Sequence, residues 1–419
     1  MTSLSLAYPT TNEVGEQPHG GTTTSDTGEA GVRHLEFRSC YFTPRAGLVH
    51  IGRMGRFSSM VLLLLAACGD NLTLEGAGPG PTDEVSPNGN ATAIPRYVPS
   101  VCGVQTWGMN VMRDAGIDAS VAARPDGAAV LATPREGGSM MGFVLDTRMN
   151  MVSTNKIAID GSFTQVVASY VDGRTVSTAV QDGAVFLHLL DNDLGNPEFT
   201  AKLPGTFVAE PAFYKVQADL VMPIVGDNGL TLHRFDDSFE PLDSRLVVPT
   251  KPARSMAAAQ MGVAMLTAWS TDSECYLMLT STFSAGIDTR VPVACADPRI
   301  SVNQKTGEAV MVFDTVDGVR MMNIQQTQFG GDARLLRDSS GAPRTLFDGT
   351  NFWISYLDTR GDIIVGILDG KRQLITMSLA GPKPEAGAYE MVMVDGNPWV
   401  FALGTEGYTA HRMCIDTQW

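Results

Sequence analysis

The side chains with chemistry to offer are few and widely spaced. Beyond residue 97 the histidines are His188, His233 and His411, and the first two lie 45 residues apart. Two imidazoles at equivalent places could start a metal site, but a third ligand and a close approach are needed. A tolerated position between packed sheets is the plainer reading. Carboxylates are plentiful, yet Asp126, Asp172, Asp227, Asp317, Asp348 and Asp395 all sit in turn-like contexts beside Gly or Asn. Asp191-Asn192-Asp193 could hold Ca²⁺, but it lacks the Asp-x-Asp-x-Asp-Gly run and the Glu at loop position 12, so a solvated turn is expected. No HExxH, Gly-x-Ser-x-Gly or phosphate-loop pattern occurs, and no catalytic residue is nominated. Gly137-Gly138 and Gly330-Gly331 read as turn glycines. Trp269, Trp353 and Trp399 recur in similar places and read as packing residues rather than a sugar platform.

The elements that position these residues follow from an internal repeat. A short apolar run ending in a polar residue recurs at Gly142 to Asp146, Leu187 to Asp191, Leu232 to Asp236, Leu277 to Ser281, Met321 to Gln325, Val365 to Asp369 and Arg412 to Asp416. The final polar positions are spaced by 45, 45, 45, 44, 44 and 47 residues. Each run is preceded by another apolar strand and a tight turn, as in Arg174 to Val180, Gln181-Asp182-Gly183 and Ala184 to Leu190. Asp172-Gly173, Asp348-Gly349 and Asp395-Gly396 mark a further hairpin one strand earlier, since Asp-Gly favours positive-φ turns. A fourth strand follows the marked Asp, for example at 156–159, 245–248, 290–293 and 374–379. The Asp itself suits an Asx-type turn.

Four antiparallel strands per repeat, repeated seven times, predict an all-β, seven-bladed β-propeller over 98–419. The seventh copy supplies three strands before the chain stops. Its fourth is expected from Val98 to Met109, which closes the ring and removes open edges. That arrangement makes neighbours of the strands holding Cys102 and Cys414. Cys275 and Cys295 face each other across a hairpin of the fourth copy. We therefore expect the disulfides Cys102–Cys414 and Cys275–Cys295, which require an oxidising compartment.

The 419 residues carry 30 Lys plus Arg against 45 Asp plus Glu, a net charge of −15. With 44% hydrophobic and 18% charged residues, the chain is not disordered as a whole. Nucleic acid is excluded as a main partner, because phosphate binding needs clustered cations. From Met54 the chain reads MGRFSSMVLLLLAACGDN. Leu65-Ala66-Ala67-Cys68 resembles the lipobox of bacterial lipoprotein signal peptides. The resemblance implies a signal peptide over 54–67, cleavage behind Ala67 and a lipid on Cys68. The apolar stretch is too short to span a bilayer. Residues 68–97 are rich in Gly, Pro, Asn and Thr and read as a flexible tether. Residues 1–53 are polar and aperiodic. They read as sequence upstream of a start at Met54, the rival being a disordered extension. Five basic and five acidic residues cancel within 1–67, so the net charge belongs wholly to residues 68–419.

Taken together, the chain resembles bacterial β-propeller lipoproteins with BNR-like or WD40-like repeats, Asn351 to Leu368 being the best copy of that style. There is no Asp-box (Ser-x-Asp-x-Gly-x-x-Trp), and no Trp-Asp or Gly-His dipeptide. The resemblance thus implies a fold and a cell-envelope location and little chemistry. Gly69 after the anchor Cys favours the outer over the inner membrane. The expected role is a lipid-anchored module that binds or scaffolds a protein or glycan partner, without a resident cofactor. The alternative is a carbohydrate-active enzyme, a glycoside hydrolase or lyase, using carboxylates at the central funnel. Three or more convergent Asp, Glu, Arg or Tyr side chains there would favour the enzyme. A lining of small apolar residues would count against it.

Overall fold

The structure is a computed structural model. It describes residues 96–418 except 109–116, 211–212, 217–218, 227–228, 249–252, 273, 282–286, 292, 326–331, 370–371, 380–382, 385–387 and 405–406. Cys68, the expected signal peptide at 54–67, the segment 1–53 and nearly all of the tether lie outside the described residues.

Every described element is a β-strand, and the strands form seven antiparallel sheets. Blade 1 runs Ile117–Arg124, Gly127–Pro134, Ser139–Asp146 and Met151–Asp160, and blade 2 runs Phe163–Val171, Arg174–Gln181, Ala184–Leu190 and Pro197–Leu203. In blade 3 the inner strand is split into Phe207–Val208 and Tyr214–Val216, before Asp219–Gly226, Gly229–Phe235 and Pro241–Val248. Blade 4 comprises Ser255–Met261, Ala264–Ser270, Cys275–Ser281 and Ile287–Arg290. Its fourth strand thus lies three residues earlier than the 290–293 read from the sequence. Blade 5 is Ala296–Asn303, Glu308–Thr315, Gly318–Gln325 and Arg334–Leu335; blade 6 is Ser339–Phe347, Phe352–Asp358, Ile363–Leu368 and Leu374–Ser378. Blade 7 takes Tyr389–Val394, Asn397–Gly404 and Gly407–Gln418, and Arg96–Gly108 completes it from the other end of the domain. That strand pairs with Gly407–Gln418 from Arg96↔Gln418 to Gly108↔Gly407.

The core is not central. Seven separate apolar clusters lie between neighbouring blades. One joins Val167 and Leu187 of blade 2 to Met222 and Phe235 of blade 3, and another joins Val121 and Phe143 of blade 1 to Phe401 and Tyr408 of blade 7. Strands flanked by blades on both faces must be apolar on both, hence second strands such as Gly127–Pro134 that are almost wholly buried. Tight turns set the strand spacing: Asp182 and Gly183 both have positive φ (50° and 75°), as do Asp172 and Gly173, the geometry that Asp-Gly supplies.

Candidate functional site

Alternation along the inner strands leaves one residue per blade facing the channel at the same repeat position. These residues are Ser120, Gln165, Glu210, Ser255, Arg299, Arg344 and Glu390, spaced by 45, 45, 45, 44, 45 and 46 residues, and all seven line the channel. None is apolar. Inner strands are edge strands with unpaired backbone groups, and several polar side chains satisfy the next blade. Gln165 accepts from Val208 N (3.0 Å) and donates to its carbonyl (2.6 Å), Ser120 Oγ accepts from Ala168 N (3.0 Å), and Asp118 accepts from Val166 N (2.8 Å).

The charged members meet across the channel. Arg299 bonds to Glu210 (2.9 Å) and Asp297 (3.0 Å), while Arg344 bonds to Glu390 (3.1 Å) and Asp297 (3.4 Å). Four blades are thereby tied together. Arg344 also lies over the Tyr389 ring, 5.3 Å from its centroid. Side-chain exposures of 15% for Arg299 and 12% for Arg344 make this a belt of buried ion pairs. Such pairs are costly to leave half-formed.

The belt separates two cavities, of about 420 Å³ and 410 Å³, both lined by Glu210, Arg299 and Arg344. The first lies where the inner strands begin, at what we call the upper face. The loops joining second to third strands emerge on the same side, and Arg135 comes from one of them. Its lining is polar, with Asp118, Arg135, Thr164, Arg254 and Asp314. The second opens at the lower face and is more apolar, with Val167, Phe213, Leu346 and Met393.

Burial, partly offset by Arg299, pushes the Glu210 carboxyl up to about 7. Asp314 is pushed up to about 6, by burial first and by nearby Asp297 second. Its Oδ2 accepts from Ala342 N (3.3 Å), and its Oδ1 bonds to no described residue. Burial also raises Asp118, against the pull of Arg135. The convergence of Asp, Glu, Arg and Tyr that would favour the enzyme reading is therefore present. Three of its carboxylates, Glu210, Asp297 and Glu390, are already bound to arginine.

The residues singled out from the sequence lie elsewhere. Cys102 is bonded to Cys414 (Cα–Cα 5.9 Å) and Cys275 to Cys295 (5.3 Å). His188, His233 and His411 are buried within their blades, and desolvation lowers all three, His188 to about 4. His188 Nδ1 is 3.1 Å from Thr200 Oγ1. Among the described residues no group of three or more His, Cys, Asp or Glu is placed to hold a metal. In the Asp191-Asn192-Asp193 turn, both oxygens of Asp191 accept backbone N–H groups, from Gly195 (2.6 Å) and Asn196 (3.2 Å). Trp269, Trp353 and Trp399 are buried in clusters between blades. Sequence reading missed the channel ring, although the 45-residue period, carried back to the inner strands, marks its seven positions.

No protein-family model matches the chain, and no curated protein matches it. Solved structures do. Hydrazine synthase of Kuenenia stuttgartiensis aligns at a TM-score of 0.52 and 11% identity over 71% of this chain and 96% of that one. BBS1N in complex with ARL6DN aligns at 0.51 and 10% identity, over 76% and 97%. The Dos1 propeller aligns at 0.48 and 12%, over 74% and 86%. At such identities the likeness is one of fold alone.

Proposed function

We propose that the protein is a ligand-binding β-propeller held at the cell envelope through a lipid on Cys68, with its site at the upper mouth of the channel. The observation that carries the site is the ring of seven polar residues, one per blade, whose charged members close the channel and floor a polar cavity. The lipobox-like Leu65-Ala66-Ala67-Cys68 supports the anchor, and two disulfides fit an oxidising compartment. The strand Arg96–Gly108 enters the ring at the lower face, because Arg96 pairs with Gln418 at the end of a third strand.

Methionine methyl resonances test the site, since Met256 lines the upper cavity and Met391 the lower one. Titrating the purified full chain with saccharides and envelope-glycan fragments is expected to shift Met256 and leave Met391 in place. A response at Met391 alone, or at neither, rejects the upper mouth. For the anchor, Cys68→Ser is expected to abolish fatty-acid labelling and release the protein from membranes; a variant that stays membrane-bound rejects it.

One observation favours a second reading, a carbohydrate-active enzyme. Glu210 and Asp314 are raised into the range from which a carboxyl can deliver a proton near neutral pH. On that reading, aryl glycosides are turned over and Asp314→Asn removes the turnover; a full panel of glycosides left intact rejects it.

A further inference from the structure

Building on the reading of the upper mouth as a ligand site, we propose that its ligand is a hydroxylated carboxylate of the sugar-acid class. Arg135 and Arg254 hold the carboxylate at the rim, and the hydroxyls turn to the carboxyl groups of the floor.

The deep guanidiniums are not available to a ligand anion, because Arg299 and Arg344 each already serve two carboxylates. The rim guanidiniums are. Arg135 is exposed, lines the cavity and makes no hydrogen bond or ion pair with any described residue; its charge acts on Asp118 from a distance. Arg254 bonds to Asp272, but both side chains are exposed, at 69% and 77%. Such an exposed pair contributes little and exchanges readily for a ligand carboxylate, which a guanidinium grips through two parallel hydrogen bonds. The two arginines come from blades 1 and 4, so they reach the cavity from different sectors of the ring.

The floor calls for hydroxyls. Asp314 Oδ1 bonds to no described residue, and Glu210 gives one oxygen, Oε2, to Arg299. Carboxyl groups of this kind accept from a hydroxyl when ionised and both accept and donate when protonated. Thr164 adds a hydroxyl to the lining. A bare divalent cation does not suit two guanidiniums at the entrance, and an acyl chain does not suit the charged lining. The protein as a whole carries −15, so an anion is drawn by these local cations and not by the overall field.

Calorimetric titration of the purified full chain with D-glucuronate and D-glucose tests the class, since the two sugars differ in the carboxylate. Glucuronate is expected to bind at least tenfold more tightly. Arg135→Gln and Arg254→Gln are each expected to weaken glucuronate about tenfold, equivalent to about 1.4 kcal/mol, with glucose binding and melting temperature unchanged. Methyl glucuronoside distinguishes a chain end, which binds equally, from a free sugar acid, which alone binds; either result supports the class. Equal affinity for glucose and glucuronate, with Met256 responding to both, overturns the sugar-acid class and leaves the upper mouth as a site. No binding of any of the three, with Met256 unmoved, overturns both.

Discussion

Asp297 and Ala342 stand at φ values of 43° and 54°, a conformation uncommon for residues with a side chain. They occupy equivalent places, 45 residues apart, each in an interrupted stretch of an inner strand and each two residues before a channel arginine. The kink re-aims the strand so that Arg299 and Arg344 enter the channel and Asp297 lies between them. Backbone strain of this sort persists only when its surroundings hold it. Here the Asp297 carboxylate bonds to both guanidiniums, its N–H donates to Ser255 Oγ (3.0 Å), and the Ala342 carbonyl accepts from Tyr389 (2.5 Å). Asp314 is the exception within this arrangement. Its carboxyl is raised from an ordinary 3.8 to about 6, so the folded protein holds that proton more tightly than the unfolded chain does. The resulting stabilisation is fully present below pH 3.8 and is lost as pH rises through 6. Asp314→Asn is therefore expected to be more stable than the parent at pH 7–8, by at most about 3 kcal/mol, with the difference vanishing towards pH 4. Urea midpoints measured across pH 4–8 check this. Parallel profiles for parent and variant would show that Asp314 titrates normally.

At the scale of the element, the recurring Asp at the end of the third strand has a defined task. Asp236 Oδ1 accepts from Ser238 N (2.8 Å) and Glu240 N (3.0 Å), and Asp146 Oδ1 does the same with Arg148 N (2.8 Å) and Asn150 N (2.7 Å). Three residues after the Asp stands an apolar residue at positive φ: Met149, Leu194 or Phe239, all fully buried. The carboxylate thus fixes a turn that drives an apolar plug into the cluster between blades. Asp236→Ala is expected to cost about 0.5–2 kcal/mol, the range for losing a carboxylate that caps backbone N–H groups. Asp236→Asn, which keeps an acceptor, is expected to cost less. Thermal melts that rank the two the other way would assign the effect to charge and not to the turn. The turns and second and third strands were legible in the sequence because short apolar runs recurring at a fixed period and Asp-Gly pairs are local signals. The ends of blade 4 were less so, since residues 287–293 hold no apolar run long enough to set a boundary and pairing with Tyr276–Leu279 decides it. The site was hidden for a different reason. Each channel residue is one polar position among several in its inner strand, with no local signal to set it apart. Arg299 and Glu390 acquire meaning only when seven copies are brought around one axis.

For the whole molecule the decisive feature is where the ring closes. Six blades are each built from one continuous stretch of chain, while blade 7 is assembled from the two ends of the domain. Arg96–Gly108 lies along Gly407–Gln418 in twelve-residue register broken only by the irregularity at Cys102. Cys102 sits at that break, bonded to Cys414 across a sequence separation of 312 residues. Without this strand, Gly407–Gln418 would be an open edge, and the cluster uniting blades 7 and 1 would lose its constraint on the far side. Cys275–Cys295 spans 20 residues, tying the third strand of blade 4 to the link just past its fourth strand, and constrains little beyond that hairpin. In the chain-entropy account, a cross-link stabilises by restricting the unfolded chain, more so for longer loops: about 3 kcal/mol for the short loop and somewhat above 5 for the long one. The double variant Cys102→Ser/Cys414→Ser is accordingly expected to lower the urea-unfolding free energy more than Cys275→Ser/Cys295→Ser does. It is also expected to expose Arg96–Gly108 to protease before any other strand, because that strand joins its blade from the other end of the domain and not through a hairpin. The belt reinforces this order: Glu390 of blade 7 is tied through Arg344 and Asp297 to blades 6 and 5, so the last blade keeps its place in the channel after its outer strand is released. Equal destabilisation by the two double variants, or first cleavage at another blade, would mean that closure depends on the packing between blades and the belt, with the cross-link adding little.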